Sequence, residues 1–266
     1  MRVTLCLLAW LLLAPLIRAE DSGVSLAPSY SAASIVNSAS NLTGALAPNT
    51  IATIYGENLS WTTRSLTASD IQNGTLPNTL AGAGVWIFLN NIPAHVFYVS
   101  PRQINFLIPS DLLPGKVRLR VTRDGRLGPK AEFRLREAAP ALYQLNETTA
   151  IALKADGSVA APESPARAGE VVVLFATGLG ETAPSFPRGA IATAAAQIVR
   201  RDEFRVLLDR SPVPAGNIAY VGTAPGFAGL YQINVWLPEG AGEDPEIELL
   251  LGGEISPPGI RIPVRR

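Results

Sequence analysis

The sequence predicts an all-β protein made of two tandem immunoglobulin-like antiparallel β-sandwiches, and three observations carry that prediction. Its 266 residues include 23 Gly and 22 Pro but only 17% charged side chains, a profile of short strands joined by many turns. Short segments alternate with a period of two: in Lys116-Val117-Arg118-Leu119-Arg120-Val121 the aliphatic residues fall on one face and the charges on the other. The third observation is internal repetition. Gln103-Ile104-Asn105-Phe106-Leu107-Ile108-Pro109 recurs as Gln232-Ile233-Asn234-Val235-Trp236-Leu237-Pro238, 129 positions later.

Taken in order, the chain opens on Arg2 followed by an apolar run from Leu5 to Ile17 and a small residue at Ala19. This reads as a signal peptide over residues 1–19, because a membrane span needs about 20 apolar residues. The protein is therefore expected to be secreted, periplasmic or at the cell surface, with no integral membrane segment in the mature chain. Cleavage after residue 19 of 266 leaves 247 residues, enough for one large or two medium cores. The one cysteine, Cys6, lies inside the run, so neither disulfides nor thiolate-bound metal are expected afterwards. Without Arg2 and Arg18 the 22 basic residues fall to 20 against 22 acidic ones, a balance that gives no reason to expect nucleic acid as a partner.

Residues 20–46, rich in Ser, Ala and Asn, read as a partly flexible leader, with Ile35-Val36 able to begin an edge strand. The first sandwich is assigned to residues 47–138 and the second to 139–266, the boundary falling near Ala138-Ala139-Pro140. In each, an apolar strand (from Thr50, and from Glu170) precedes a hairpin: Val85 to Leu89, turning at Asn90-Asn91, and Phe204 to Leu208, turning near Asp209-Arg210. Asp124-Gly125 and Gly252-Gly253 tolerate positive φ and suit two-residue hairpins. Closing strands are expected near Glu132 to Arg136 and Gly259 to Val264, and one or two helical turns are allowed for in residues 192–201.

Several unlike motifs in one order carry a resemblance: Ile35-Val36-Asn37-Ser38-Ala39-Ser40, Ile54-Tyr55-Gly56-Glu57-Asn58-Leu59, Ser100-Pro101-Arg102-Gln103-Ile104-Asn105, Ala176-Thr177-Gly178-Leu179-Gly180 and Gly229-Leu230-Tyr231-Gln232-Ile233-Asn234. Together they resemble the uncharacterised C-terminal domain family expanded in Solibacter and other Acidobacteria, and each half resembles an IPT/TIG-type immunoglobulin-like domain. The resemblance implies a bacterial exported protein and brings no catalytic residues with it.

Chemistry at named sites is sparse. One histidine, His95, would have to serve any Ser/His/Asp or Cys/His mechanism, and several-histidine zinc sites are arithmetically impossible. Asp21-Ser22-Gly23 imitates an aspartic-protease triplet without its second copy, and Gly178-Leu179-Gly180 lacks the third glycine of a phosphate loop. No enzyme activity, cofactor or metal is expected. Two surfaces stand out instead. Residues 223–231, longer than their counterpart in the first half, carry Phe227, Leu230 and Tyr231 among glycines, either as a binding loop or as a cap that sets the angle between the halves. Lys116, Arg118, Arg120, Arg123 and Arg126 form a basic patch suited to an anionic polysaccharide, or simply the solvated side of a sheet. The expected function is an exported, non-enzymatic binding or structural module that contacts an extracellular polymer, a polysaccharide or a cell-surface protein. The alternative is an accessory or weakly glycan-active domain using paired carboxylates.

Overall fold

The computed structural model describes residues 26–265; the expected signal peptide, Cys6 and the Asp21-Ser22-Gly23 triplet lie outside them. Two pairs of packed sheets follow one another along the chain. The first half contains β1 (Ile35–Asn37), β2 (Ile51–Tyr55), β3 (Arg64–Ser65), β4 (Val85–Leu89), β5 (Ile92–Pro93), β6 (His95–Val99), β7 (Gln103–Leu107), β8 (Gly115–Arg123), β9 (Arg126–Leu127) and β10 (Ala131–Leu135). One sheet has the order β1-β2-β7-β6-β3, and the facing sheet β10-β8-β4-β5 with β9 on β8.

The second half begins with β11 (Ala141–Leu142), β12 (Gln144–Asn146), β13 (Thr149–Ala150), β14 (Ala152–Leu153), β15 (Ala166–Arg167) and β16 (Val171–Thr177). It continues with β17 (Thr182–Ala183), β18 (Gln197–Ile198), β19 (Phe204–Leu208), β20 (Ser211–Pro212), β21 (Ile218–Thr223), β22 (Tyr231–Trp236), β23 (Ile247–Leu251), β24 (Glu254–Ile255) and β25 (Val264–Arg265). Its larger sheet runs β11-β16-β22-β21-β18-β17 with β14 on β16, and its facing sheet β20-β19-β23-β24. Thus β2, β7 and β6 occupy the same relative places as β16, β22 and β21, while β4 and β8 match β19 and β23.

The cores follow from the alternation. Val85, Ile87 and Leu89 of β4 and Val117, Leu119 and Val121 of β8 point inward and are buried with Phe106 and Ile104 of β7. Phe204 and Val206 of β19, Leu249 of β23 and Ile233 of β22 do the same in the second half. Burial of each such side chain stabilises the fold by about 1.5–3 kcal/mol. All four hairpin turns found in the sequence have positive φ at both central residues: Asn90 and Asn91, Asp124 and Gly125, Asp209 and Arg210, Gly252 and Gly253. That is the mirror-image turn whose twist matches the flanking strands.

Three local expectations are revised. In the segment set apart as a leader, the edge strand allowed for at Ile35-Val36 forms against β2, and beyond that expectation Ile35 and Leu46 enter the first core. Residues 192–200 form no helical turn; helical structure among the described residues amounts to 3-10 turns of three residues each, one of them starting at the end of that stretch, Arg201–Glu203. The closing strand expected near Gly259 to Val264 shrinks to two residues at its end, after the Ile260 carbonyl accepts from the Ile247 amide of β23. Pro257, Pro258 and Pro263 remove donors from that stretch, which bridges Glu246 and Thr149 through Arg261 and ends as β25, parallel to β15.

Candidate functional site: an aromatic and basic sheet face

The outward positions of β4 and β8 build the more distinctive surface. Because Val85, Ile87 and Leu89 face the core, Trp86 and Phe88 face solvent, and their rings stack with centroids 6.2 Å apart and planes 10° from parallel. Trp86 is 39% exposed between two wholly buried neighbours. Register sets Arg120 of β8 directly opposite Phe88, and Thr122 opposite Trp86. Lys116 and Arg118 lie further along β8, opposite Arg134 and Glu132 of β10. Glu132 accepts from both: Lys116 Nζ lies 2.5 Å and an Arg118 guanidinium nitrogen 3.2 Å from its carboxylate. These two cations hold the Glu132 carboxyl below the usual range. The face thus carries five cations, Lys116, Arg118, Arg120, Lys130 and Arg134, against the one carboxylate of Glu132.

Of the expected basic patch, Lys116 and Arg118 are exposed on this face and Arg120 is half-buried beside Phe88; Arg126 is exposed in the neighbouring turn. Arg123 is withdrawn from it. It shares the parity of Val117, Leu119 and Val121, so its side chain turns inward and is fully buried. There its guanidinium donates to the carbonyls of Asn58 and Leu26 and stacks 3.6 Å from the ring centroid of Trp61. Desolvation lowers its pKa from the usual value.

The long loop of the second half meets the first half. Tyr231 is fully buried: its hydroxyl accepts from Asn49 Nδ2 at 2.9 Å and donates to the Gly180 carbonyl, and burial raises the phenol pKa. Ala228 is buried in an apolar cluster with Leu76 and Leu107. Gly229, at φ +72°, sits so close to the first sandwich that a Cβ there would lie 2.4 Å from Leu107. Thr177 clamps the same point, its hydroxyl accepting from the Ile51 amide and donating to the Gly229 carbonyl. Leu230 is half-buried, and only Phe227 of the three loop candidates is exposed, at a cleft of about 340 Å³ between the halves. The loop therefore wedges the two sandwiches together and leaves one ring to solvent.

His95 belongs to the same seam. Its Nδ1 lies 2.6 Å from the Leu76 carbonyl and so donates to it, while Nε2 faces Gly189, where a Cβ would come within 2.2 Å. Desolvation, aided by nearby Arg188, outweighs the Leu76 carbonyl and holds its pKa below the usual value. Among the described residues no group of three or more His, Cys, Asp or Glu is placed to hold a metal ion, and no helix is long and apolar enough to cross a membrane. Asp70, Asp111, Glu132, Asp156 and Glu203 are all displaced downward, mainly by hydrogen bonds from hydroxyls, lysine or arginines. A general acid needs a shift the other way.

The sequence drew attention to the charges of β8 but missed Trp86 and Phe88. Their signal was present: aromatic residues at the two positions of an alternating strand where solvent-facing polar ones belong.

No family model matches the chain, and no curated protein matches it. Among solved structures it is similar to the surface glycan-binding protein PbSGBP-B from Prevotella bryantii, at 12% identity over 86% of this chain and 40% of that one, TM-score 0.27. It is also similar to SGBP-B of a mixed-linkage glucan utilization locus of Bacteroides ovatus, in complex with a heptasaccharide (12%, 84% and 44%, TM-score 0.32). A third is SGBP-B from a xyloglucan utilization locus of Bacteroides uniformis (13%, 88% and 49%, TM-score 0.26). The chain spans between two fifths and half the length of these proteins. At TM-scores this low the likeness bears on neither ligand nor site.

Proposed function

We propose that this chain is an exported, non-enzymatic binding module that holds an extracellular polymer on the outer face of its first sandwich, with the second sandwich as a fixed brace. The stacked pair of exposed Trp86 and half-buried Phe88 carries the reading. Two large apolar rings kept side by side on a rigid strand offer contact area at little conformational cost, and such exposed aromatics mark recognition surfaces. The apolar N-terminal run supports export.

The test is retention of the purified protein on insoluble polysaccharides and cell-envelope material, compared with the double variant Trp86→Ala/Phe88→Ala. Removing both rings is expected to weaken retention at least about tenfold, the size expected for stacking contacts of 1–3 kcal/mol per ring. Undiminished retention by the double variant would discard this face, and sugar release on prolonged incubation would restore the enzymatic alternative.

A further inference from the structure

Resting on that reading of the Trp86 and Phe88 face, we infer that its ligand is an anionic polysaccharide, one bearing carboxylate or sulfate groups, rather than a neutral one. The argument is charge complementarity at the rings themselves. Glu132 already accepts from Lys116 and Arg118. That leaves Arg120, Lys130 and Arg134 with no ion pair among the described residues. Arg120 is the most telling of them. It stands across from Phe88, half-buried, and its Nε is shielded from solvent yet has no hydrogen-bond partner. A shielded guanidinium donor without an acceptor is costly unless something supplies one.

A small hollow of about 80 Å³ lies at that point, lined by Phe88, Asn90, Asn91, Arg118, Arg120 and Lys130. It has room for one carboxylate or sulfate, and three of the lining side chains are cations whose donors match such oxyanions. A sugar ring packed against the exposed Trp86 would direct an acidic substituent toward Arg120, beside Phe88. The charge balance of the whole chain, 22 basic against 22 acidic residues, lacks the surplus typical of nucleic-acid binders.

The experiment uses matched probes that differ in charge alone: polygalacturonate against its fully methyl-esterified form, and dextran sulfate against dextran. Affinities would be measured by isothermal titration or affinity electrophoresis with the full protein. Wild type is expected to bind at least one acidic member about tenfold or more tightly than its neutral twin, and to lose most of that advantage at 0.5 M salt, where charges are screened within a few ångströms. Arg120→Glu should weaken binding of the acidic probe about 10- to 100-fold, as expected for a lost charge-assisted contact turned repulsive, while leaving the neutral probe nearly unchanged. Trp86→Ala should weaken both members of a pair. Equal affinity for acidic and neutral twins, or no binding to either polyanion, would overturn the anionic inference. In the former case a ring-dependent affinity would leave the face itself standing. Insensitivity to Trp86→Ala with intact sensitivity to Arg120→Glu would remove the face reading instead. Tighter binding to a single-stranded oligonucleotide than to either polyanion would assign the surface to a different class of polymer. Circular dichroism of Arg120→Glu, together with the milder Arg120→Gln, separates lost binding from lost fold.

Discussion

The outer faces of β4 with β8 and of β19 with β23 are built on one plan and yet present opposite surfaces. In the first half Trp86 and Phe88 face outward and Arg120 stands opposite Phe88; in the second the corresponding places hold Arg205 and Leu207, with Glu248 opposite Leu207. Arg120 is a half-buried cation without an acid, whereas Glu248 is 7% exposed. Inward positions are aliphatic or aromatic in both, Arg123 at the end of β8 excepted, since those residues make the core, and the hairpin turns share one geometry. The difference teaches that the frame constrains only every other residue of a strand, leaving the outward set free to acquire a ligand surface in one half and none of that kind in the other.

The equivalence of the frames is the first part of that comparison to attack. Phe106→Ala and Phe204→Ala remove wholly buried rings at the heart of each core and should each cost about 3–5 kcal/mol in urea titrations. A cost below about 1 kcal/mol at either site would break the parallel. The joint between the frames is next. Tyr231→Phe strands the Asn49 amide donor and the Gly180 carbonyl and is expected to cost about 1–3 kcal/mol, read from the same titrations.

Acid should act through the seam more gently. The pKa of His95 is depressed in the folded protein, so its contribution is fully present above the unfolded value near 6.5 and is lost as pH falls below it toward the folded value. The melting temperature should drop between pH 7.5 and 5.5, and the drop should shrink in His95→Gln; an identical drop in that variant would clear the histidine of the effect. The smallest change concerns the turns. Arg210 adopts φ +64° where the first half has Asn91 at +69°, so Arg210→Gly should raise stability by up to about 1 kcal/mol while Asn91→Gly changes little.

Much of this frame was legible in the sequence because strands and mirror-image turns leave local signatures: alternation in residues 116–121, Asn90-Asn91, Asp124-Gly125 and Gly252-Gly253. What escaped was decided by partners distant in sequence. The edge strand allowed for at Ile35-Val36 forms, but neither its pairing with β2 nor the burial of Leu46 in the first core has a local signature, and the final segment ends in a parallel pairing with Ala166–Arg167. Arg123 was assigned to the basic face by its charge, although its parity with Val121 already placed it on the core side. Of the candidate face, the cations stood out by charge, while the rings were overlooked although their outward parity was readable, because a Trp in a strand ordinarily counts as core. The fate of residues 223–231 depended on Leu107 and Ile51 lying beneath Gly229, which no local pattern records.

That last contact has a thermodynamic consequence. Little free chain separates the halves: Leu135 ends one sheet, and the Ala139 amide already bonds to the Gly178 carbonyl of the other half. Melting the C-terminal half would bare Leu76 and Leu107 to water, so each half lends the other part of its resistance to heat. Calorimetry should record a single cooperative endotherm with matching calorimetric and van't Hoff enthalpies, where a pair of loosely tethered beads would give two.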